Sequence, residues 1–378
     1  MRFSQIPANH SVKQKLIKSV ESGRLAHAQL FIGDEGSASF AIAWAYIQFL
    51  FCQNRTEHDS CGRCSSCLKV EKMAHPDVHW SFPVTSGKQS QPTSDMFLED
   101  FRALMTANPY STEQQWYQQI NAENKQGSIS VKEAQELNRK IVLKAFEGSF
   151  KVILIWHAEK MHTSTSNKLL KLFEEPPEKT IFLLITPQKE QLLPTIISRF
   201  QTVQVYPLRD EEMDAFFETK HFSAENRSRL TSLAQGNINE AFNLLHETVT
   251  VGEQTSRFQK WMRLCYQAKI AELSDWAESI SKIGREQQKT FLKYALFMVR
   301  ECLIRNYASD NLQSLKTEEK EFIINFAPFI HQNNVMDLIE NLETASRDIE
   351  RNANARILFN DLSLKLVLLL RIKSLNLQ

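Results

Sequence analysis

Two short runs of consecutive apolar residues stand out in the middle of the chain, at 152–156, directly after Lys151, and at 181–185. Runs of this length, apolar on both faces and rich in β-branched residues, are typical of strands covered on both sides in a parallel sheet. Between them, residues 164–175 have apolar positions at helical spacing, and Pro176-Pro177 ends that helix because proline lacks a backbone N–H. Strand, helix and strand in this order predict a right-handed βαβ unit.

The segments before this unit alternate between regular and irregular patterns. A short strand ends at Gly33, a helix is predicted over 40–51, and another is predicted over 129–145 with Val142 on its apolar side. Residues 83–127 are mostly polar and partly of low complexity. They predict an irregular surface insertion that contains at most a short helix.

After the last predicted strand, only helical periodicity remains. Residues 208–250 predict a small helical lid domain, and a polar linker is expected at 248–256. Residues 257–378 predict a helical domain whose last helix, 353–372, is apolar on more than one face, which is typical of an interface. The expected fold class is therefore α/β plus all-α, with the parallel sheet in an α/β domain over residues 1–207.

The composition limits the classes of function. The chain has 378 residues, of which 24% are charged and 42% hydrophobic, and its formal net charge is +1. A chain without a strong positive field does not bind nucleic acid avidly on its own, so any DNA contact is expected to be local or to belong to an assembly. No secretion signal and no membrane span are apparent, which predicts a cytoplasmic protein without a membrane partner.

The turn after the first strand lies where a phosphate-binding loop is expected. In the pattern G-x-x-x-x-G-K-[S/T], backbone N–H groups bind phosphates, the lysine reaches the β- and γ-phosphates, and the hydroxyl binds Mg²⁺. Gly33 is the first motif glycine and Gly36 is also present, but Ala38, Ser39 and Phe40 replace the second glycine, the lysine and the hydroxyl residue. The loop is therefore predicted to be degenerate.

The second nucleotide motif is altered in the same way. In active P-loop enzymes, the strand that corresponds to 151–156 ends in acidic residues that hold Mg²⁺ and orient water. Here these positions are Trp156 and His157. An indole cannot bind Mg²⁺, and an imidazole is a poor ligand for a cation that prefers oxygen. No bound ATP is therefore expected.

Four cysteines lie close together, at Cys52, Cys61, Cys64 and Cys67. In a chain without an export signal, this spacing favours a metal site over disulfides. Tetrahedral Zn²⁺ is the predicted ion, and its role is structural because no open coordination position is indicated. An iron–sulfur cluster is the competing interpretation, and His58 is an alternative ligand to Cys52.

Several motifs in order resemble the clamp-loader branch of the AAA+ proteins. They are Ala-Glu-Lys-Met at 158–161, Asn-x-Leu-Leu-Lys-x-x-Glu-Glu-Pro-Pro at 167–177, Leu-Leu-Ile-Thr at 183–186, and Thr-Ile-x-Ser-Arg at 195–199. The resemblance covers most of residues 1–250. It implies an AAA+ P-loop-type domain with a zinc module at the four cysteines, a small helical lid, and a C-terminal collar domain that mediates oligomerisation.

The resemblance also implies roles for single residues. Ser198-Arg199-Phe200 matches the family's Ser-Arg-Cys motif, whose arginine reaches the ATP site of a neighbouring subunit as an arginine finger. A surface arginine with a local salt bridge is the competing interpretation. Thr186 matches the family's sensor position, and Asn239 replaces an arginine that senses ATP in active relatives.

The function expected from this resemblance is that of a non-catalytic clamp-loader subunit in DNA replication. Its partners would be the ATPase subunits and the clamp-opening subunit of a hetero-pentamer, the sliding clamp, and primed DNA through the assembly. It would be a component of a DNA polymerase holoenzyme without enzymatic activity of its own. Two alternatives remain: an active P-loop ATPase motor subunit of the same loader, and a zinc-dependent nucleic-acid-binding module that acts alone.

Overall fold

The structure, a computed structural model, describes residues 1–85, 92–122, 125–246, 251–307, 315, 317–350 and 353–372. Its strands are β1 (Ala28–Ile32), β2 (Val78–Ser81), β3 (Lys151–Trp156), β4 (Thr180–Thr186) and β5 (Gln201–Gln204). Its helices are α1 (His10–Glu21), α2 (Ser39–Phe51), α3 (Ser65–Glu71), α4 (Leu98–Ala107), α5 (Glu113–Gln119), α6 (Val131–Val142), α7 (Thr163–Glu174), α8 (Pro194–Ile197), α9 (Asp210–Glu218), α10 (Ala224–Ala234), α11 (Ile238–His246), α12 (Val251–Gln267), α13 (Ile270–Ser281), α14 (Arg285–Tyr307), α15 (Thr317–Phe326), α16 (Val335–Glu350) and α17 (Ala355–Leu369).

The five strands form one parallel sheet with the order β2-β3-β4-β1-β5. The predicted βαβ unit is present, since β3 and β4 are adjacent and parallel and α7 lies between them in the chain. Every residue of β3 and β4 is buried, as expected for strands with helices on both faces. By contrast, the edge strand β5 is mostly exposed.

The segment 83–127 is not the irregular surface insertion that we expected. Its described part contains α4 and α5, and the side chains of Phe101 and Trp116 are fully buried. The Phe101 ring stacks on Phe82 at 3.9 Å between centroids, and the Trp116 indole N–H donates to the Pro83 carbonyl at 2.7 Å. A few large aromatic residues thus bury a segment whose average composition is polar.

Helix α6 is shorter than predicted, and its last residue is not in the core. Val142 is 80% exposed, although its spacing placed it on the apolar side of the helix. Leu143 is extended and ends the helix, and the Asp77 carboxylate binds the loop that follows. It accepts the backbone N–H groups of Phe146, Glu147 and Gly148 at 2.5–2.9 Å.

Two compact units make up the chain. The first comprises Met1–Phe216 and Gly236–Phe242 and contains the sheet. The second comprises Phe217–Gln235 and Asn243–Gln378 and is helical in its described part. The lid domain over 208–250 stays a prediction.

The helical unit has its own core, in which Trp261 and Trp276 stack with centroids 4.8 Å apart. Helix α12 already begins at Val251, so the linker predicted at 248–256 is wrong for 251–256, and residues 248–250 lie outside the described residues. Cys265 and Cys302, which we expected to be buried small apolar residues, are both fully buried here. Across the described ranges, no helix combines the length and apolar character needed to cross a bilayer.

Candidate functional site

The predicted phosphate-binding loop connects β1 to α2, as in P-loop proteins. Gly36 has a φ of +77°, and a side chain at Gly33 would overlap the Ser39 hydroxyl, so both glycines are required by the turn. The Ser37 and Ser39 hydroxyls lie 2.8 Å apart and hydrogen-bond to each other. The frame of the loop is therefore intact, while two short hydroxyl side chains occupy its mouth.

Phe40 and Trp156, which are predicted to lie at the Mg²⁺-binding positions of active enzymes, belong to an aromatic cluster. The Phe40 ring lies 5.9–6.4 Å from the rings of Trp44, Trp80, Phe101 and Trp156. Both Phe40 and Trp156 are buried. Aromatic packing thus surrounds both side chains, and neither offers an oxygen atom to a cation.

The loop is also closed from the start of α11. The Asn237 amide donates to the Glu35 carbonyl at 2.9 Å, and the Asn239 backbone N–H donates to the Gly36 carbonyl at 3.1 Å. The Asn108 amide in turn donates to Asn239 Oδ1 at 2.8 Å. Asn239, which is predicted to replace an arginine that senses ATP, therefore binds the loop itself.

Little space is left inside the site. The cavity lined by the loop, Trp156, His157 and the 109–111 segment has a volume of about 20 Å³. On this measure one water molecule needs about 10–15 Å³. The pocket therefore has room for about one water and none for a nucleoside triphosphate.

His157, Glu159 and Thr186 form a buried polar group beside the pocket. His157 Nδ1 lies 2.7 Å from one Glu159 carboxylate oxygen, and the Thr186 hydroxyl donates to the other at 2.7 Å. Burial disfavours the charged imidazole, but the hydrogen bond and charge of Glu159 outweigh it and raise the pKa of His157. Burial likewise opposes the Glu159 carboxylate, yet the bonds from His157 and Thr186 lower its pKa. Glu159 thus binds both His157, predicted at the acidic-motif position, and Thr186, predicted at the sensor position.

Arg199 lies between α8 and β5, at the edge of the sheet. Its side chain is 32% exposed and forms an ion pair with Glu174, at the end of α7. Its Nη1 group donates to the Thr195 carbonyl at 2.6 Å and to the Ser198 hydroxyl at 3.4 Å. Phe200 is buried against α7. The predicted Ser198-Arg199 pair is therefore accessible to a partner, while the residue that departs from the family motif serves packing.

The four cysteines come together as predicted. Their Sγ atoms all lie within 4.8 Å of one another, and the Sγ atoms of Cys61 and Cys67 are 3.9 Å apart. A tetrahedral Zn²⁺ with Zn–S bonds of about 2.3 Å requires S···S distances of about 3.8 Å. Cys52 is a member of this group, whereas His58 is not and is exposed.

The surroundings of the sulfurs suit thiolates bound to a cation. The backbone N–H of Cys61 points to the Cys52 sulfur at 3.2 Å, and that of Cys64 to the Cys61 sulfur at 3.3 Å. Backbone hydrogen bonds, chiefly from Arg63, lower the pKa of Cys61 to about 6. Burial raises the pKa of Cys52 and Cys67, so a cation is needed for all four sulfurs to be anionic together.

Sequence reasoning missed three side chains at these sites: Glu174, Asn237 and Asn108. Glu174 lies within the Glu-Glu-Pro-Pro motif, but the motif does not reveal which distant residue it pairs with. Asn237 follows a glycine and precedes a helix, which is a capping signal. For Asn108 there was no signal, because its partner Asn239 is 131 residues away.

A parallel α/β domain in which a glycine turn joins β1 to α2 has the frame of a P-loop protein. Residues 8–209 match the family described as "DNA polymerase III, delta subunit". The chain belongs to this family. Its motifs also resemble, within the family, the delta-prime subunits, and the relatives confirm that resemblance.

Relatives of known name agree with this assignment. The chain is 28% identical over 235 residues to DNA polymerase III subunit delta' of Bacillus subtilis (strain 168), covering 62% of this chain and 58% of the relative. It is 24% identical over 308 residues to subunit delta' of Escherichia coli (strain K12), covering 78% and 75%. The chain therefore spans less than two thirds of the Bacillus subtilis relative. A solved structure of a DNA polymerase III, gamma subunit-related protein from Thermotoga maritima covers 94% of this chain and 100% of its own, at 13% identity and a TM-score of 0.40.

Proposed function

We propose that the chain is a non-catalytic subunit of a clamp loader that donates Arg199 to the ATP site of a neighbouring subunit. Together with ATPase subunits and a clamp-opening subunit, it would support loading of the sliding clamp onto primed DNA during replication. One observation supports this proposal most directly. Within one domain, the pocket at the predicted phosphate-binding loop has a volume of only about 20 Å³, while the Arg199 side chain at the sheet edge is 32% exposed.

Three independent changes favour the absence of ATP binding by the chain itself. The motif lysine is replaced by Ser39, the Mg²⁺ region is filled by Phe40 and Trp156, and the loop carbonyls accept bonds from α11. Restoring one of them would leave the other two in place. The family membership is compatible with a holoenzyme component of this kind.

The chemistry of Arg199 fits a role in trans. A guanidinium stays charged at any physiological pH and donates hydrogen bonds in a planar fork, which suits a phosphate with developing charge. Arginine fingers supplied by a neighbour increase hydrolysis rates by about 10³–10⁵-fold in well-studied GTPases. Among the described residues, Arg199 has one carboxylate partner, Glu174, and its side chain is 32% exposed.

In this proposal, the role of the cysteine cluster is structural. Cys52, Cys61, Cys64 and Cys67 would hold one Zn²⁺ ion, which would connect the end of α2 to the start of α3. Four protein ligands leave no position for a substrate or water, so the ion stabilises and does not catalyse.

Association with other subunits is supported by the last helix. Ile357, Leu364 and Leu368 of α17 are 69%, 47% and 70% exposed, and their spacing places them on one side of the helix. Apolar side chains that are exposed along one helix face are typical of an interface. We assign this face to contacts with the neighbouring loader subunits.

The decisive experiment reconstitutes the loader from its separate subunits and measures ATP turnover with clamp and primed DNA. Arg199→Ala is expected to lower kcat by at least about 100-fold, with assembly unchanged in gel filtration. Arg139→Ala, which removes another exposed, ion-paired arginine of the same unit, is the matched control. Unchanged turnover with Arg199→Ala would refute the proposal, and ATP hydrolysis by the isolated chain would favour the active motor subunit instead.

A further inference from the structure

Glu174 occupies a position that its own helix disfavours. It is the last residue of α7, and the negative end of the helix dipole favours cations over carboxylates there. Its carboxylate accepts a hydrogen bond from Arg199 Nη2 and is 45% exposed. Since neither the helix nor burial requires an acid here, the pairing with Arg199 is the interaction that accounts for it.

The guanidinium of Arg199 is held on more than one side. Nη1 donates to the Thr195 carbonyl and the Ser198 hydroxyl, and Nη2 donates to Glu174. The Nε atom is buried and has no partner among the described residues. Because a guanidinium has five N–H groups in a fixed plane, these bonds leave an Nη2 hydrogen available while fixing the orientation of the fork.

A buried contact directly beneath keeps the two residues adjacent. Phe173 precedes Glu174, Phe200 follows Arg199, and both rings are buried in contact with each other. A shift of α7 against the α8–β5 connection would have to disrupt this contact. The packed core therefore fixes the backbone positions of both members of the ion pair.

We propose that Glu174 is a positioning residue for Arg199, which presents the guanidinium in one orientation to a phosphate bound by a neighbouring subunit. This inference rests on the proposed function and names a second residue that the arginine needs. Without the carboxylate, the long arginine side chain would sample several rotamers, and a fraction of them would miss the phosphate.

The pairing is tested first in the isolated chain, without ATP or partners. Phenylglyoxal modifies free guanidinium groups, and mass spectrometry of peptides gives the rate at Arg199. An exposed ion pair changes the ratio of paired to free guanidinium by about 1.5- to 5-fold. Glu174→Ala and Glu174→Gln, the second of which keeps the side-chain shape, are both expected to raise the Arg199 rate in this range. Glu175→Ala, one position further along, is the matched control because its carboxylate makes no bond to the described residues.

The positioning role is tested in the reconstituted loader. Glu174→Ala is expected to lower kcat about 10-fold with an unchanged KM for ATP, and Glu175→Ala to leave both unchanged. In an Arg199→Ala background, Glu174→Ala is expected to cause no further loss. If Glu174→Ala caused a general structural defect, it would instead lower turnover both in the presence of Arg199 and in the Arg199→Ala background.

The outcomes separate the two proposals. If Arg199→Ala lowers kcat but Glu174→Ala does not, the arginine finger stands and the positioning role is overturned. If Arg199→Ala leaves kcat unchanged, the proposed function fails, and the role of Glu174 fails with it. Equal modification rates at Arg199 in all variants would overturn the ion pair in solution regardless of turnover.

Discussion

The rings of Phe173 and Phe200 meet edge to face, with their centroids 5.0 Å apart and their planes at 82°. This is a favoured aromatic geometry, and both side chains lie in the core of the sheet domain. Each is next in the chain to one member of the exposed Glu174–Arg199 pair. The core thus determines where the surface arginine lies.

Phe200→Ala is expected to reduce the free energy of unfolding by about 3–5 kcal/mol, because it removes a buried ring and leaves a cavity. Urea unfolding followed by circular dichroism measures this change. Phe200→Leu keeps most of the apolar volume and should cost clearly less. A loss below about 1 kcal/mol for Phe200→Ala would contradict the packing of this ring.

Restoring the P-loop sequence is not expected to restore ATP binding. The triple variant Ala38→Gly, Ser39→Lys and Phe40→Thr recreates the motif, but the loop is still closed by Asn237 and Asn239. We expect a Kd for ATP weaker than about 1 mM, measured by titration of a fluorescent ATP analogue. The Phe40→Thr change should also destabilise the chain by about 3 kcal/mol or more through loss of aromatic packing.

Binding of ATP in the micromolar range by this triple variant would show that the loop opens readily. Ser39→Lys alone is the control for the added charge, since it leaves Phe40 in the aromatic cluster. If both variants bound ATP equally well, the lysine would be the only missing part of the site.

The His157–Glu159 pair predicts a characteristic pH dependence. The pKa of His157 is raised in the folded chain, so its stabilising effect is fully present below its ordinary value of 6.5 and is lost as the pH rises through the folded value. The pKa of Glu159 is lowered, so its effect is present above its ordinary value of 4.5 and is lost as the pH falls through the folded value. The pair should therefore stabilise the fold most between about pH 4.5 and 6.5.

His157→Gln should accordingly cost more unfolding free energy at pH 5.5 than at pH 9, as measured by urea titrations at both values. His162→Gln is the control, because His162 is exposed and lies outside the ion pair. An equal cost of His157→Gln at both pH values would mean that folding does not shift the pKa of His157.

The cysteine cluster should contain about one Zn²⁺ ion per chain, measured by elemental analysis of the purified protein. Cys64→Ser should remove the ion and reduce the unfolding free energy by about 3 kcal/mol or more. Cys265→Ala changes a buried cysteine of the helical unit and should leave the metal content unchanged. Iron and inorganic sulfide in place of zinc would instead identify an iron–sulfur cluster.

Sequence patterns predicted the parts of the fold that depend on near neighbours. The βαβ unit of β3, α7 and β4 was recognised because apolar runs and a Pro-Pro stop are local signals. The four-cysteine cluster was predicted for the same reason, since its ligands lie within 16 positions. Arg199 was found through a motif, and motifs are also local.

Contacts between distant residues were not predictable in this way. Trp116 lies in a glutamine-rich stretch, and only the tertiary structure shows that its indole is buried and bonded to Pro83. Val142 follows helical spacing, yet the remote carboxylate of Asp77 changes the path of the chain after it. In both cases long-range contacts outweighed the local pattern.

The register of β1 and β5 places the predicted phosphate-binding loop and Arg199 at opposite ends of the sheet. The two strands are parallel and pair Gln29 with Gln201 and Ile32 with Gln204, so the degenerate loop follows one end of the pair and Arg199 precedes the other. At about 3.3 Å per residue, the two features are about 20 Å apart. In a head-to-tail ring, each subunit with both features would bind ATP on one side and donate an arginine to its neighbour's ATP site on the other. If this chain only assists, as we propose, it would interrupt that alternation, and a ring containing it would have a fixed first and a fixed last catalytic site.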